Sequence, residues 1–190
     1  MENHTQDYDL SYPNRMDVLF YPNPILAQPA GAVDEVDAKV QQLVDDMFET
    51  LYATGGIGLA APQVGVSQRI IVIDCGLRSP NETAPLEPRA PRALINPVIL
   101  EHSDTTCQGT EACLSVPGFV DAVERYETIK VRALNYEGEP VEFHAEGLSA
   151  VCIQHEIDHL DGVLFIDRLS RLRADMVRRR IKKLRKRFDV

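Results

Sequence analysis

The residues best equipped for chemistry lie between Gln154 and Gly162, Gln-His-Glu-Ile-Asp-His-Leu-Asp-Gly. On a helix turning about 100° per residue, His155 and His159 leave the same face one turn apart, which suits two imidazoles on a single metal ion. Glu156 stands beside the first histidine. From there it reaches a water on the open side of a metal without being a ligand, which is what makes His-Glu-x-x-His a hydrolytic pattern. So short a pattern also recurs by accident on ordinary helices, so the rest of the chain has to decide.

The chain has 190 residues, 44% of them hydrophobic, enough to bury roughly 70% of the unfolded surface in one compact domain spanning 1–190. No run approaches the roughly 18 apolar residues needed to span a bilayer, and Met1 to Asn14 is polar and acidic, unlike a secretion signal or transit peptide. The expectation is a soluble, cytoplasmic protein. Cys75, Cys107, Cys113 and Cys152 are too few and too irregularly spaced for a disulfide scaffold, which fits a reducing compartment with thiols available to metal. The net charge of -9 is uneven: eleven Lys and Arg against three Asp put +8 on residues 167–190, leaving -17 on residues 1–166.

The elements that must position the chemistry can be read in order. Residues 1–16 lack periodicity and are expected to be a flexible extension. Tyr21-Pro22-Asn23-Pro24 is turn punctuation. Val36, Val40, Leu43, Val44, Met47 and Leu51 form a helical stripe, with Asp34 the expected cap and Gly55 the stop. Arg69 to Asp74 reads as a buried strand, and Arg92 to Glu101 as another, interrupted by Pro97. Leu77 to Pro91 reads as a polar, proline-rich loop. Glu127 to Asn135 and Pro140 to Glu146 alternate apolar and polar residues around Tyr136-Glu137-Gly138-Glu139, a predicted β-hairpin. The His-bearing helix should run from about Leu148 to Gly162. Strands cluster between helices without regular alternation, so the predicted class is α+β, with antiparallel strands packed around a central metal-binding helix and a long helix toward each end of the chain.

Two further stretches bear on the metal. Gly56-Ile57-Gly58-Leu59-Ala60-Ala61-Pro62-Gln63 suits close backbone approach, although a tight helix exit with a buried leucine would leave the same pattern. Glu111-Ala112-Cys113-Leu114-Ser115-Val116-Pro117-Gly118 offers a thiol among turn-forming residues, although a free cysteine is more often simply buried. In this order, Gly-Ile-Gly-Leu-Ala-Ala-Pro-Gln, Glu-Ala-Cys-Leu-Ser and Gln-His-Glu-Ile-Asp-His resemble the three signatures of the peptide deformylase family. The resemblance runs from about Tyr21 to the C-terminus. One departure is Ala112, where the family usually has glycine; a positive φ there would strain an alanine mildly.

The resemblance implies Cys113, His155 and His159 as metal ligands, with the fourth position left to a water acidified from about 15.7 toward roughly pKa 7. It implies Glu156 as general base and acid, and the Gln63 side chain and Leu114 N–H as donors to the oxyanion. The implied reaction removes the formyl group from the N-formyl-methionyl end of newly made polypeptides and releases formate. Ile57, Gly58, Leu114, Cys152 and the 116–123 loop are candidates for the methionine pocket, with core packing an equal reading for each apolar member. Glu111 and Arg125 form a charged pair either behind the ligands or in solvent. Helical spacing alone points to Cys152 as the thiol ligand, three residues before His155 and seven before His159. Those three positions stretch over about 10 Å of helix axis, whereas ligand atoms on one tetrahedral ion lie within roughly 4 Å of each other. Cys113, on a separate segment and in the family's ligand position, is therefore expected.

The basic stretch 169–190 is predicted to be a helix, either solvated or placed against nucleic acid; the resemblance implies contact with the ribosome, not DNA or a membrane. The rival functions are a His-Glu-x-x-His metallopeptidase, which would want a third His or a downstream Glu ligand, and a non-catalytic metal module, which leaves Glu156 and Gln63 without a role. A thiolate with two imidazoles suits Zn(II) and tolerates Fe(II), Co(II) or Ni(II); the resemblance favours Fe(II).

Overall fold

A computed structural model of the chain describes residues 12–76 and 89–188. Residues 1–11 of the expected extension and most of the predicted 77–91 loop lie outside the described residues. The architecture is α+β. A five-stranded antiparallel sheet has the order β1 (Gly58–Ala60), β2 (Ile70–Ile73), β3 (Arg92–His102), β6 (Thr128–Leu134) and β7 (Pro140–Glu146). A second sheet, absent from the sequence expectation, pairs β4 (Thr106–Ala112) with β5 (Val120–Tyr126).

The large sheet lies between two helices, and β2 shows why. Its Ile71 and Ile73 join one apolar cluster with Ile153, Ile157 and Leu160 of α2 (Gly147–Leu160). Ile70 and Val72, on the opposite face, join another with Val40, Val44, Met47 and Leu51 of α1 (Ala38–Thr54). A strand buried on both faces must be apolar throughout, which is why Ile-Ile-Val-Ile shows no alternation. Helix α2 is the central element: every residue from Cys152 to Leu160 is buried.

The cap of helix α1 lies three residues later than expected. Asp37, not Asp34, is the N-cap, its Oδ1 accepting from the Lys39 and Val40 N–H groups at 2.9 Å each. Asp34 lies before the first turn, out of register with the orphan N–H groups. At the other end Gly55 closes the helix at φ 68, as expected. Pro97 does not interrupt β3. The strand continues through a register shift between Ile95 and Val98 at Asn96 (φ 52), whose side chain holds the Val33 backbone by two hydrogen bonds of 2.8 Å. Among the described residues Asn96 is the one non-glycine with positive φ, so Ala112, at the end of β4, is unstrained. The predicted hairpin is present as β6 and β7.

Residues 12–16 are attached more firmly than expected, with the Met16 N–H on Thr50 Oγ1 at 2.8 Å and the Asn14 N–H on Glu49 at 2.9 Å. The chain then threads between two segments of the site, its Leu19 N–H donating to Gln63 O and its Tyr21 N–H to Ser115 O. Helix α3 (Arg171–Phe188) lays Val177 and Ile181 on a third cluster built from Leu26, Cys113, Val116, Phe165 and Ile166.

The cap correction is testable by thermal unfolding. Asp37→Ala should cost about 1 kcal/mol of stability, while Asp34→Ala should stay within about 0.5 kcal/mol; equal losses, or the reverse order, would contradict the assignment.

Candidate active site

Three elements converge on the histidine face of α2. Helix α2 supplies His155, Glu156 and His159, the turn after β4 supplies Cys113 and Leu114, and the 3-10 turn Ala61–Val64 after β1 supplies Gln63. Cys113 Sγ, a nitrogen of His155 and a nitrogen of His159 lie within 4.8 Å of one another, and all three residues are buried. Cys152, the competing thiol, is outside this group. Its Sγ faces the Ile57 carbonyl oxygen at 3.6 Å.

The donor set fits a divalent cation. His155 Nδ1 lies 2.7 Å from Glu111 Oε2, which fixes that nitrogen as the donor and leaves Nε2 as the lone pair facing the cluster. His159 Nε2 is 3.2 Å from Cys113 Sγ. Burial holds the His159 proton affinity well below the usual histidine range, so its imidazole is neutral and able to bind a metal. For His155, burial works downward, but contact with Cys113 and Glu111 outweighs it and raises the imidazole to about 10. A cation on Nε2 would compete with that proton.

Behind His155 lies a closed ionic network. Arg125 grips Glu111 with Nε and Nη2 at 2.6 and 3.0 Å and reaches Asp158 Oδ2 with Nη1 at 2.6 Å. Arg168 holds the same Asp158 oxygen with Nε at 2.9 Å. Two carboxylates and two guanidiniums balance, and the Arg125, Glu111 and Asp158 side chains are at most 7% exposed. Burial alone would raise Glu111, but His155 and Arg125 hold it at about 2. Of the two readings of Glu111 and Arg125, the buried one is what the fold contains. Asp158 and Arg168 were not anticipated, because an ion pair between α2 and the segment after it leaves no periodic trace. The Gln154 side chain brackets the Tyr126 N–H and carbonyl at 3.0 Å each, docking α2 on the end of β5.

Glu156 and Gln63 face the cluster without belonging to it. Burial, partly offset by His155, raises Glu156 to about 7, and its Oε2 has no hydrogen-bond partner among the described residues. Gln63 Oε1 accepts the Ala60 N–H at 2.8 Å, which turns its amide nitrogen toward Cys113 Sγ at 3.6 Å and Ser115 Oγ at 3.2 Å. Gly58 permits this approach: a Cβ there would lie 2.7 Å from Cys152 Sγ and closer still to Glu156 Oε1.

Cys113, His155, Glu156 and Gln63 open on one cavity of about 680 Å³, lined also by the expected Ile57, Gly58, Leu114 and Cys152. Of the 116–123 loop only Pro117 lines it; Val116 is buried in the third cluster and Phe119 packs against that cluster. Leu148 and Val151 line it too, and they were legible, since 148, 151, 152 and 155 share a helix face with the first histidine. Val18 and Phe20 reach the cavity from the N-terminal segment, whose sequence carries no such signal.

Residues 15–175 match the family model described as polypeptide deformylase. The chain is 52% identical over 169 residues to the peptide deformylase of Alkalilimnicola ehrlichii, covering 89% of this chain and 90% of that one. It is 50% identical over 167 residues to that of Phenylobacterium zucineum, covering 88% and 95%. Among solved structures, the peptide deformylase of Ehrlichia chaffeensis superposes with a TM-score of 0.83 at 36% identity, covering 93% of this chain and 99% of that one. A structure of the Ehrlichia chaffeensis protein in complex with actinonin gives 0.80 at 39% identity, covering 91% and 97%.

The choice between thiols has a direct test. Cys113→Ala should lose stoichiometric metal by elemental analysis, whereas Cys152→Ala, which changes the cavity wall, should keep it. Metal retained in the first and lost in the second would overturn the ligand set.

Proposed function

The chain belongs to the peptide deformylase family, and from that membership and the geometry of the site we propose how its residues remove the formyl group from N-formyl-methionyl peptides, releasing formate and a free amine. The observation that carries the residue assignments is the buried cluster of Cys113, His155 and His159, of which Cys113 and His155 line one cavity together with two polar groups, Glu156 and Gln63. Cys113, His155 and His159 would hold one divalent ion. When bound, the ion supplies Lewis acidity, acidifying water and polarising a carbonyl. Thiolate and imidazole donors accept Fe(II), Zn(II), Co(II) or Ni(II), and Fe(II) is the ion we propose.

The chain's own residues do the rest. Glu156, raised to about 7, exchanges a proton near neutrality: it takes one from the attacking water and returns one to the departing amine. The Gln63 amide nitrogen, oriented by the Ala60 N–H, and the Leu114 backbone N–H, directly after Cys113, donate to the oxygen on which charge develops. Ile57, Gly58, Leu114 and Cys152 form the wall that takes the methionine side chain, aided by Leu148 and Val151. We place the reaction in the cytoplasm; among the described residues no helix is long and apolar enough to cross a membrane.

Helix α3 is proposed to meet the ribosome. Its Arg173 and Arg178 are tied to Asp121 and Asp167, and Arg180 lies over the Phe119 ring at 5.5 Å. Arg171, Arg179, Lys182 and Lys183 remain exposed and suit a phosphate backbone. Because Val177 and Ile181 pack on the cluster that contains Cys113, removing the helix would disturb the site itself. Neutralising the exposed cations is the cleaner change.

Two outcomes test these assignments. Formate release from a formyl-Met peptide should fall by about 10² or more in Glu156→Gln and in Gln63→Leu with metal content retained, and an internally cleavable peptide should stay intact. Near wild-type rates in either variant would remove that residue from its role, and cleavage of the internal peptide would favour a metallopeptidase. The triple variant Arg179→Gln, Lys182→Gln, Lys183→Gln should hydrolyse the small peptide normally but bind ribosomes less tightly, with a salt slope shallower by about 2 to 3. Equal affinity and slope would leave α3 a solvated helix.

A further inference from the structure

The mechanism uses Cys152 only as cavity wall and Cys75 not at all, yet the two thiols are neighbours. The Ile57 carbonyl oxygen accepts the Asp74 N–H at 2.9 Å and faces Cys152 Sγ at 3.6 Å, so the Cys152 sulfur sits beside the chain just before Cys75. Both are free cysteines, Cys75 half-buried and Cys152 buried. They open on different sides of α2. Cys152 lines the active-site cavity, while Cys75 lines a second cavity of about 580 Å³, shared with Ser149, Ile153 and Gly147.

We propose that Cys75 and Cys152 are a peroxide-sensitive dithiol whose oxidation reshapes the floor of the active-site cavity. Cys75 is the more accessible thiol. Hydrogen bonding with Cys152 is the largest influence holding it below its usual range, with Ser149 helping against burial. The same contact and burial push Cys152 up, so Cys75 gives up its proton more readily than Cys152, which is the resolving partner. The Cys75 sulfur attacks one oxygen of a hydroperoxide and the O–O bond breaks, giving a sulfenic acid and releasing water when the oxidant is hydrogen peroxide. The Cys152 sulfur then attacks the sulfenic sulfur, the S–S bond forms, the S–O bond breaks and a second water leaves. Two thiols have lost two electrons and two protons, and one peroxide has become two waters. A dithiol reductant reverses the exchange.

The consequence follows from packing. Cys152 Sγ occupies the space that the missing Gly58 side chain leaves, against Glu156. Drawing that sulfur toward Cys75 changes the wall where Ile57 and Gly58 meet α2 and leaves Cys113, His155 and His159 chemically untouched. Oxidation should therefore weaken substrate binding more than it slows the bound substrate. This last step rests on the deformylase reading; the disulfide itself does not.

The test treats zinc-loaded protein with stepwise hydrogen peroxide, maps disulfides by mass spectrometry, and measures kcat and KM before and after dithiothreitol. Expected is a Cys75–Cys152 linkage formed before Cys107 or Cys113 is modified, a KM several-fold higher with kcat little changed, full reversal by the reductant, and none of these in Cys75→Ser. Oxidation of Cys107 first, or no 75–152 linkage while other thiols oxidise, would overturn the dithiol. The linkage with an unchanged KM would overturn its effect on the cavity and leave the deformylase reading intact.

Discussion

The site depends on the contact between His155 Nδ1 and Glu111 Oε2, 2.7 Å long and closed off from solvent. It decides which imidazole nitrogen is free, and therefore whether three soft and borderline donors can share one cation. A lone buried carboxylate would be costly, and burial on its own would raise Glu111. Arg125 prevents that by a bidentate grip, and Asp158 with Arg168 balances Arg125 in turn. Removing one member of such a buried set strands the others at a cost of about 3 to 5 kcal/mol. The network thus belongs to the site's geometry more than to net stability.

The fold can be seen as what brings the network's members together. The β4–β5 sheet carries Glu111 and Arg125, and α2 carries Asp158 with both histidines. Gln154 locks α2 to the end of β5, so the ligands and their supporting charges move as one piece. The five-stranded sheet contributes Gly58 at the start of β1, and the turn that follows β1 contributes Gln63. Glu156 is held in a site dry enough to raise it to about 7, while Glu111, which lines the same cavity, stays at about 2. Two carboxylates with opposite environments suit the two purposes proposed for them, one exchanging protons and the other orienting His155.

Much of this was legible in the sequence where periodicity or motif geometry carries the signal. The apolar stripe of α1, the unbroken Ile-Ile-Val-Ile of β2 and the hairpin all appear within a residue or two of expectation. The β4–β5 pair was not legible. Thr106 to Ala112 has no apolar face, and what holds it is pairing with β5 and the charge on Glu111, both long-range. Asp34 looked like a cap because side-chain chemistry does not reveal in which residue the turn begins. Ala112 looked like possible strain only by analogy with glycine, whereas the strained torsion falls at Asn96. Axial distance along the helix argues against Cys152 as a donor beside both histidines, and the cluster contains Cys113 instead. Arg168 left no trace because its partner is fixed by tertiary packing.

The central claim is that Glu111 organises the donor set through His155. Its most direct test is metal affinity, measured by competition with a chromophoric chelator, for the folded wild-type chain and Glu111→Gln, which keeps size but removes the charge and one of the two acceptor oxygens. The account predicts binding weaker by about 10-fold to 100-fold in the variant. An unchanged dissociation constant would contradict it.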